Sequence, residues 1–168
     1  MEYTQDKPMP GLRPITENDI ETVAEIIRTV MTEFQAVGCG YSISDSEVDD
    51  MFTAYLPAGS AFYVVEADGR VIGCGGYAPL TGGDKETCEL RKMYFLPELR
   101  GTGMGAEMLT LCLEEARRDG YRQCYLETME GMDKARSLYE KRGFEYLNER
   151  MGDTGHSSCG TWMAMGLV

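Results

Sequence analysis

The sequence predicts a single mixed α/β domain, and three observations carry that expectation. Ala61–Ala67 and Arg70–Ala78 are apolar, strand-like runs joined by Asp68-Gly69, the signature of an antiparallel hairpin. Further strand-like runs then alternate with helical periodicity, as strand–helix–strand crossovers require. The chain has 168 residues, 43% of them hydrophobic and 26% charged, enough to bury one core without metal or disulfide staples. The expected architecture is a mostly antiparallel sheet of about seven strands flanked by about four helices, spanning 1–168. Residues 1–10 are expected to be a flexible or loosely packed N-terminus.

Each element has its own local reason. Leu12–Ile15 reads as a short edge strand, where Pro14 is tolerated. Thr16 followed by Asp19 forms a capping-box variant with an acid at the third position. Ile20, Val23, Ala24, Ile27, Val30, Met31 and Phe34 then recur at helical spacing, and Gly38-Cys39-Gly40 is expected to stop that helix. A second helix is expected after Ser44, capped by the serine, with Asp45, Glu47, Asp49 and Asp50 in its first turns. Thr87–Phe95 reads as a strand, Gly105–Arg118 as an amphipathic helix, Gln123–Thr128 as a strand and Asp133–Arg142 as a helix ended by Gly143. Phe144–Leu147 and Thr161–Met165 close the sheet.

Composition narrows the function. The net charge of −12 would repel a phosphate backbone, so no nucleic-acid partner is expected, whereas cationic amines or basic peptides would be attracted. No run reaches the ~18 apolar residues of a membrane span, and the polar, acidic Met1–Lys7 is unlike a signal peptide. A cytoplasmic protein without a membrane partner is the expectation. The six cysteines include no Cys-x-x-Cys pair, and His156 is the single histidine. No metal site is expected, and the cysteines read as free thiols, mostly in apolar segments.

Chemistry concentrates in Leu96-Pro97-Glu98-Leu99-Arg100-Gly101-Thr102-Gly103-Met104-Gly105-Ala106, between a strand and an amphipathic helix. Alternating glycines let an anion approach backbone N–H groups, the following helix offers unpaired amides and a positive dipole end, and Arg100 adds charge. These are the parts of a pyrophosphate cradle. Gly101, Gly103 and Ala106 also satisfy the dinucleotide pattern Gly-x-Gly-x-x-Gly/Ala, with Glu127 as the acid about 20 positions on. The chain ends at Val168, too soon after Ala106 to complete a doubly wound sheet, and Pro97–Arg100 separate the glycines from their strand. A Gly103→Val change is expected to block phosphate binding and leave the fold largely intact.

Arg100-Gly101-Thr102-Gly103-Met104-Gly105 resembles the Arg/Gln-x-x-Gly-x-Gly/Ala signature of the GNAT superfamily of acyl-CoA-dependent N-acyltransferases, and Ala135–Phe144 is similar to that family's Ala-x-x-Leu-Tyr-Glu-Lys-x-Gly-Phe helix and turn. The resemblance implies acetyl-CoA as co-substrate and a small-molecule or peptide amine as acceptor, joined directly in a ternary complex. It implies cofactor contacts from Met93, Tyr94, Phe95, Arg100, Gly101, Thr102, Gly103, Met104, Gly105 and Ala106. A β-bulge is implied in the Thr87–Phe95 strand; the switch in parity from Cys88 and Leu90 to Met93 and Phe95 would reflect it, and so would a fully buried strand. A backbone N–H near Tyr94 is the implied oxyanion donor. Tyr139 matches the family's general acid, or is a core tyrosine on its helix. Glu89 matches a general-base position, acting directly or through water, or is a strand glutamate paired with Arg91. Phe34, Tyr41, Glu127 and His156 are the candidate substrate contacts. The acids at 45–50 either attract a cationic acceptor or form a solvated helix face. Met132 stands where many relatives carry an asparagine, a departure that removes one hydrogen bond. A homodimer is compatible with the resemblance. An acyl-CoA-binding module without turnover is the alternative function.

Overall fold

The computed structural model describes residues 10–168, so the expectation for the N-terminal segment falls on residues 1–9, outside the described ones. Seven strands form one sheet in the order β1-β2-β3-β4-β5-β7-β6: β1 Gly11–Pro14, β2 Ala61–Ala67, β3 Arg70–Pro79, β4 Thr87–Phe95, β5 Gln123–Thr128, β6 Glu145–Tyr146 and β7 Thr161–Gly166. Among the described residues, only β4 and β5 pair in parallel. The intervening crossover is helix α3, Met104–Arg118, and α4, Asp133–Arg142, follows β5.

Two apolar layers cover the sheet. Met108, Leu109, Cys112 and Leu113 of α3, with Tyr139 of α4, pack on Cys88, Leu90, Cys124, Leu126 and Met163. On the opposite face Val23, Ile26, Ile27, Val30 and Met31 of helix α1, Ile20–Glu33, pack on Phe62, Val64, Cys74 and Ala78. The capping box forms as expected. The Thr16 amide donates to Asp19 Oδ2 at 2.8 Å, and Arg13 grips the same carboxylate through both terminal nitrogens at 2.7 and 2.9 Å.

Two expectations on the α1 side require correction. Helix α1 ends at Glu33, ahead of Gly38-Cys39-Gly40, because Gln35 adopts a left-handed conformation (φ 58°). The helix expected after Ser44 is instead a pair of 3₁₀ turns, Ser42–Ser44 and Ser46–Asp49, followed by one α turn, α2, Met51–Ala54. Its cap is Asp50, which accepts from the Thr53 amide at 2.9 Å. The acids at 45–50 are not one solvated face. Asp45 and Glu47 turn inward onto the Lys92 ammonium, whose side chain is 1% exposed. Asp49 alone pairs outward, with Arg28. Holding a buried cation from two directions bends the segment away from a regular helix.

The feature that positions the site is a break in β4. Cys74 faces Tyr94 and Gly76 faces Arg91, so β4 carries one residue more than β3 between those pairs. Lys92 sits at the break with φ 50°, a costly backbone state for a lysine. Past it, Met93 and Phe95 return to the α3 face beside Cys88 and Leu90, while Tyr94 joins the α1 face. The expected parity switch is therefore a true β-bulge. Pairing of β4 with β5 covers only Thr87, Cys88 and Glu89, so the two strands diverge from Leu90 onward.

Candidate active site

The glycine loop folds as a cradle. Gly101 (φ 76°) and Gly103 (φ 87°) both need left-handed backbone, and Gly103 is the N-cap of α3. A Cβ at either position would meet nothing within 4 Å, so no packing within the chain demands glycine there. The backbone angle demands it, and the space beyond is open. A β-branched residue at φ 87° is strained, so Gly103→Val would disturb the loop as well as obstruct it, contrary to the sequence expectation.

A cleft of about 590 Å³ lies in front of the cradle, lined by Val30, Phe34, Met93–Phe95, Leu99–Gly101, Gly103, Gly105, Ala106 and residues 131–135 and 138. These dimensions and the exposed amides of α3 fit a long anionic thioester whose diphosphate rests on a helix N-terminus. Thr102 and Met104 do not line the cleft. The Thr102 hydroxyl donates to the Leu99 carbonyl at 2.6 Å, and the Met104 side chain is buried in the core, leaving each only its main chain to offer. Arg100 reaches the cleft already engaged. Both terminal nitrogens bind Glu33, at 2.6 and 2.7 Å, Nε donates to the Phe95 carbonyl, and the guanidinium stacks 5.6 Å above Phe34. Phe34, expected to contact the acceptor, thus lines the larger cleft in front of the glycine loop and not the smaller hollow.

Where β4 diverges from β5, a second hollow of about 40 Å³ adjoins the cleft, and Tyr94 and Met132 line both. Glu89, Arg91, Lys92, Glu127, His156 and Cys159 surround this smaller space. Glu89, 3% exposed, is held by Arg91 Nε at 2.5 Å. Glu127 accepts from the Thr154 hydroxyl through one oxygen, while its Oε2 is buried without a partner. Burial raises the Glu127 carboxyl above the ordinary carboxylate range, and the Thr154 hydrogen bond only partly opposes this.

His156 ties the hollow shut. Its Nε2 lies 2.9 Å from Asp45 Oδ2, and Lys92 Nζ donates to that same oxygen at 2.8 Å. Burial would lower the imidazole pKa, but the Asp45 carboxylate outweighs it and the net shift is upward. Burial would likewise raise Asp45, yet His156 and Lys92 hold it below its usual value. Donor atoms of Glu89, Glu127 and His156 lie within 4.8 Å of one another. They could converge on a metal ion, but Glu89 and His156 are already committed to Arg91 and Asp45.

Tyr139, 7% exposed, stacks edge-on against Phe144 in the α3-side core. It does not line the cleft, although Ala135 and Leu138 of the same helix do. Desolvation raises its phenol pKa, so it retains its proton. Tyr94 also lies deep, its hydroxyl 3.0 Å from Ser42 Oγ. Tyr41 lines neither space and packs at the edge of the α1-side core.

Sequence reasoning missed Lys92 and Thr154, and offered Asp45 only as one of four acids that could face an acceptor or the solvent. A lysine inside an otherwise apolar strand is a readable anomaly. Its partners are 47 and 45 positions away and are not readable from spacing.

The model of the acetyltransferase (GNAT) family matches residues 23–144. The uncharacterized N-acetyltransferase YjgM of Escherichia coli is 41% identical over 151 residues, covering 89% of this chain and 90% of that protein. Among solved structures, a GNAT-family acetyltransferase from Staphylococcus aureus superposes with a TM-score of 0.77 at 16% identity, covering 95% of this chain and 100% of the other. The yncA protein of Salmonella typhimurium, solved with its cofactor acetyl-CoA, superposes with a TM-score of 0.76 at 21% identity, covering 95% and 94%.

Proposed function

The chain belongs to the acetyltransferase (GNAT) family, and on that footing we propose that it transfers an acetyl group from acetyl-CoA directly to a primary amine of a small molecule or peptide. Its class, an acyl-CoA-dependent N-acetyltransferase, follows from the family and its relatives. One observation supports the finer reading: where β4 leaves β5, the cleft in front of the glycine loop and a carboxylate-lined hollow lie side by side and share Tyr94 and Met132 as walls.

Bound acetyl-CoA would supply the activated acetyl group. The chain's own residues would do the rest. Main-chain groups of Met93–Phe95, left unpaired by β5, would hold the pantetheine arm, and the amides of Gly101–Ala106 would hold the diphosphate. An N–H beside the bulge would receive the negative charge that develops on the acetyl oxygen. The attacking amine must lose a proton. Glu127 supports this role better than Glu89, because its Oε2 is unclaimed while Glu89 is locked to Arg91. Glu89 then holds Arg91 and the local field in place. Tyr139, kept protonated by burial, suits proton donation towards the departing thiolate, provided the helix brings its hydroxyl to the sulfur.

The test is thiol release from acetyl-CoA across an amine panel. Glu127→Gln should lower kcat by about 10²–10⁴-fold and remove the acidic limb of the rate profile, while Glu89→Gln chiefly raises KM. Tyr139→Phe should lower kcat with acetyl-CoA affinity unchanged. A chain that binds acetyl-CoA yet releases no thiol with any amine would refute transfer.

A further inference from the structure

We infer that the acceptor is a free α-amino acid, recognised at both its ammonium and its carboxylate; this rests on the acetyl-transfer reading above. Among the described residues, three buried side-chain polar atoms lack a partner: Glu127 Oε2, Trp162 Nε1 and Arg136 Nε. Arg136 belongs to a guanidinium already paired with Asp133 on α4. The other two stand on directly opposed residues of β5 and β7. Opposed residues of an antiparallel pair project from the same face of the sheet. Folded proteins keep few such orphans, because each forfeits the hydrogen bonds it had with water. A carboxylate oxygen and an indole N–H left vacant side by side describe a complementary ligand: one group that donates, one that accepts.

The loop before β7 lies over both atoms. Its Thr154 holds the other oxygen of Glu127, and the Arg150 guanidinium rests 5.8 Å above the Trp162 ring. Arg150 is exposed and forms no ion pair among the described residues, in a chain with 28 acids against 16 lysines and arginines. Its only hydrogen-bond partner is the Ser157 carbonyl, at 3.5 Å. Negative charge on Glu127 selects an ammonium. Arg150 and the indole N–H select an anionic oxygen next to it and repel a second cation, which argues against polyamines. Opposed Cβ atoms stand roughly 5 Å apart, so Glu127 and Trp162 rise from one small patch of the sheet, a spacing that suits two polar groups of one small molecule. An amine and a carboxylate on one carbon meet those conditions.

Trp162 is the single tryptophan of the chain, so its fluorescence reports occupancy without turnover. The full chain, saturated with CoA, is titrated with the common L-amino acids, then with the α-amide and the decarboxylated amine of each responder. Thiol release from acetyl-CoA is measured in parallel on the same compounds. At least one amino acid should perturb Trp162 emission saturably, with its decarboxylated amine roughly tenfold weaker or worse. Arg150→Met should erase that preference while thermal stability is kept, and Trp162→Phe should raise KM for the amino acid in the thiol assay. An amine that matches its parent amino acid overturns the inference, as does an amide that does so, which would point to peptide N-termini. Saturable binding of an amino acid that releases no thiol leaves the recognition standing but overturns its role as acceptor. Absence of both responses with every amino acid overturns the inference, and acetyl transfer itself falls only if the wider amine panel also releases no thiol.

Discussion

Arg100 meets a phosphate with its charge already answered by Glu33, and this makes an unusual prediction: deleting an acid should tighten cofactor binding. Glu33→Gln keeps the side chain's shape and removes the bidentate partner that now occupies both terminal nitrogens of Arg100, at 2.6 and 2.7 Å. The pair is partly solvated, with side-chain exposures of 26% for Arg100 and 41% for Glu33, so breaking it costs only about 0.5–1 kcal/mol. Neutralising the carboxylate also removes its repulsion of an incoming phosphate, about 0.7 kcal/mol per charge at ~6 Å in a water-like medium. Together these give about 1.2–1.7 kcal/mol, or roughly 8–18-fold tighter CoA binding at low salt. Calorimetric titration of CoA measures it directly, and the advantage should shrink at ~0.5 M salt as screening grows. KM for acetyl-CoA should fall with kcat unchanged. Arg100→Met should weaken binding, and adding Glu33→Gln to it should restore little, since the two residues act as one unit. Equal or weaker CoA affinity in Glu33→Gln, at any salt, would refute the claim that the ion pair competes with phosphate.

Three further predictions test other parts of the site. Ala106 is exposed in the first turn of α3 and lines the cleft, so Ala106→Glu should cut CoA affinity by at least ~30-fold through charge repulsion. Thermal stability should hold or rise slightly in that variant, because an acid near a helix N-terminus is favourable by about 0.3–1 kcal/mol; a large loss of Tm would mean that the loop had been disrupted instead. The Glu127 carboxyl is raised by burial, so its contribution to stability is present at acid pH and lost as pH climbs through the raised value. Glu127→Gln should therefore raise Tm at neutral pH, with the gain vanishing near pH 4, and a Tm scan against pH decides it. For Asp45 and His156 the window is bounded on both sides. His156 is raised, so its share is full below the ordinary imidazole range and lost as pH rises, whereas Asp45 is lowered and its share is lost only as pH falls. A double-mutant cycle of Asp45→Asn and His156→Gln should give about 1–3 kcal/mol of coupling near pH 6 and little at pH 9; coupling that is flat with pH would place the interaction outside that ion pair.

Much of the fold was legible because local rules decided it. The Asp68-Gly69 hairpin, the Thr16–Asp19 box and the apolar faces of α1 and α3 each rest on neighbours within a few positions. The glycine loop was legible for a related reason: an anion site built from main-chain amides leaves its trace as missing side chains. Reading failed where a distant charge overruled local propensity. Ser44 with acids behind it is a good helix start, yet Lys92 draws Asp45 and Glu47 inward and leaves two 3₁₀ turns. The acids could not reveal this, because the partner that Asp45 and Glu47 share is one lysine on a bulge.

The same distinction explains why the glycine loop and its cleft were easier to read from the sequence than the smaller hollow. Cradle residues are contiguous, from Arg100 to Ala106, so one segment states their purpose. The smaller hollow draws Glu89 and Lys92 from β4, Glu127 from β5 and His156 from the loop before β7, with Asp45, between two 3₁₀ turns, behind His156. What unites them is the bulge. It turns Lys92 inward to anchor Asp45, Asp45 fixes His156, and β4 leaves β5 just ahead of the same irregularity, where the two spaces share a wall. Lys92→Met, which keeps the stem and removes the ammonium, would leave Asp45 and Glu47 facing a buried apolar chain. Losing one partner of a buried pair costs about 3–5 kcal/mol, so Tm should drop sharply. If the bulge organises the site, acceptor KM should worsen far more than CoA affinity in the molecules that still fold, because the glycine cradle lies beyond the break. Equal damage to both would show that bulge and cradle stand or fall together.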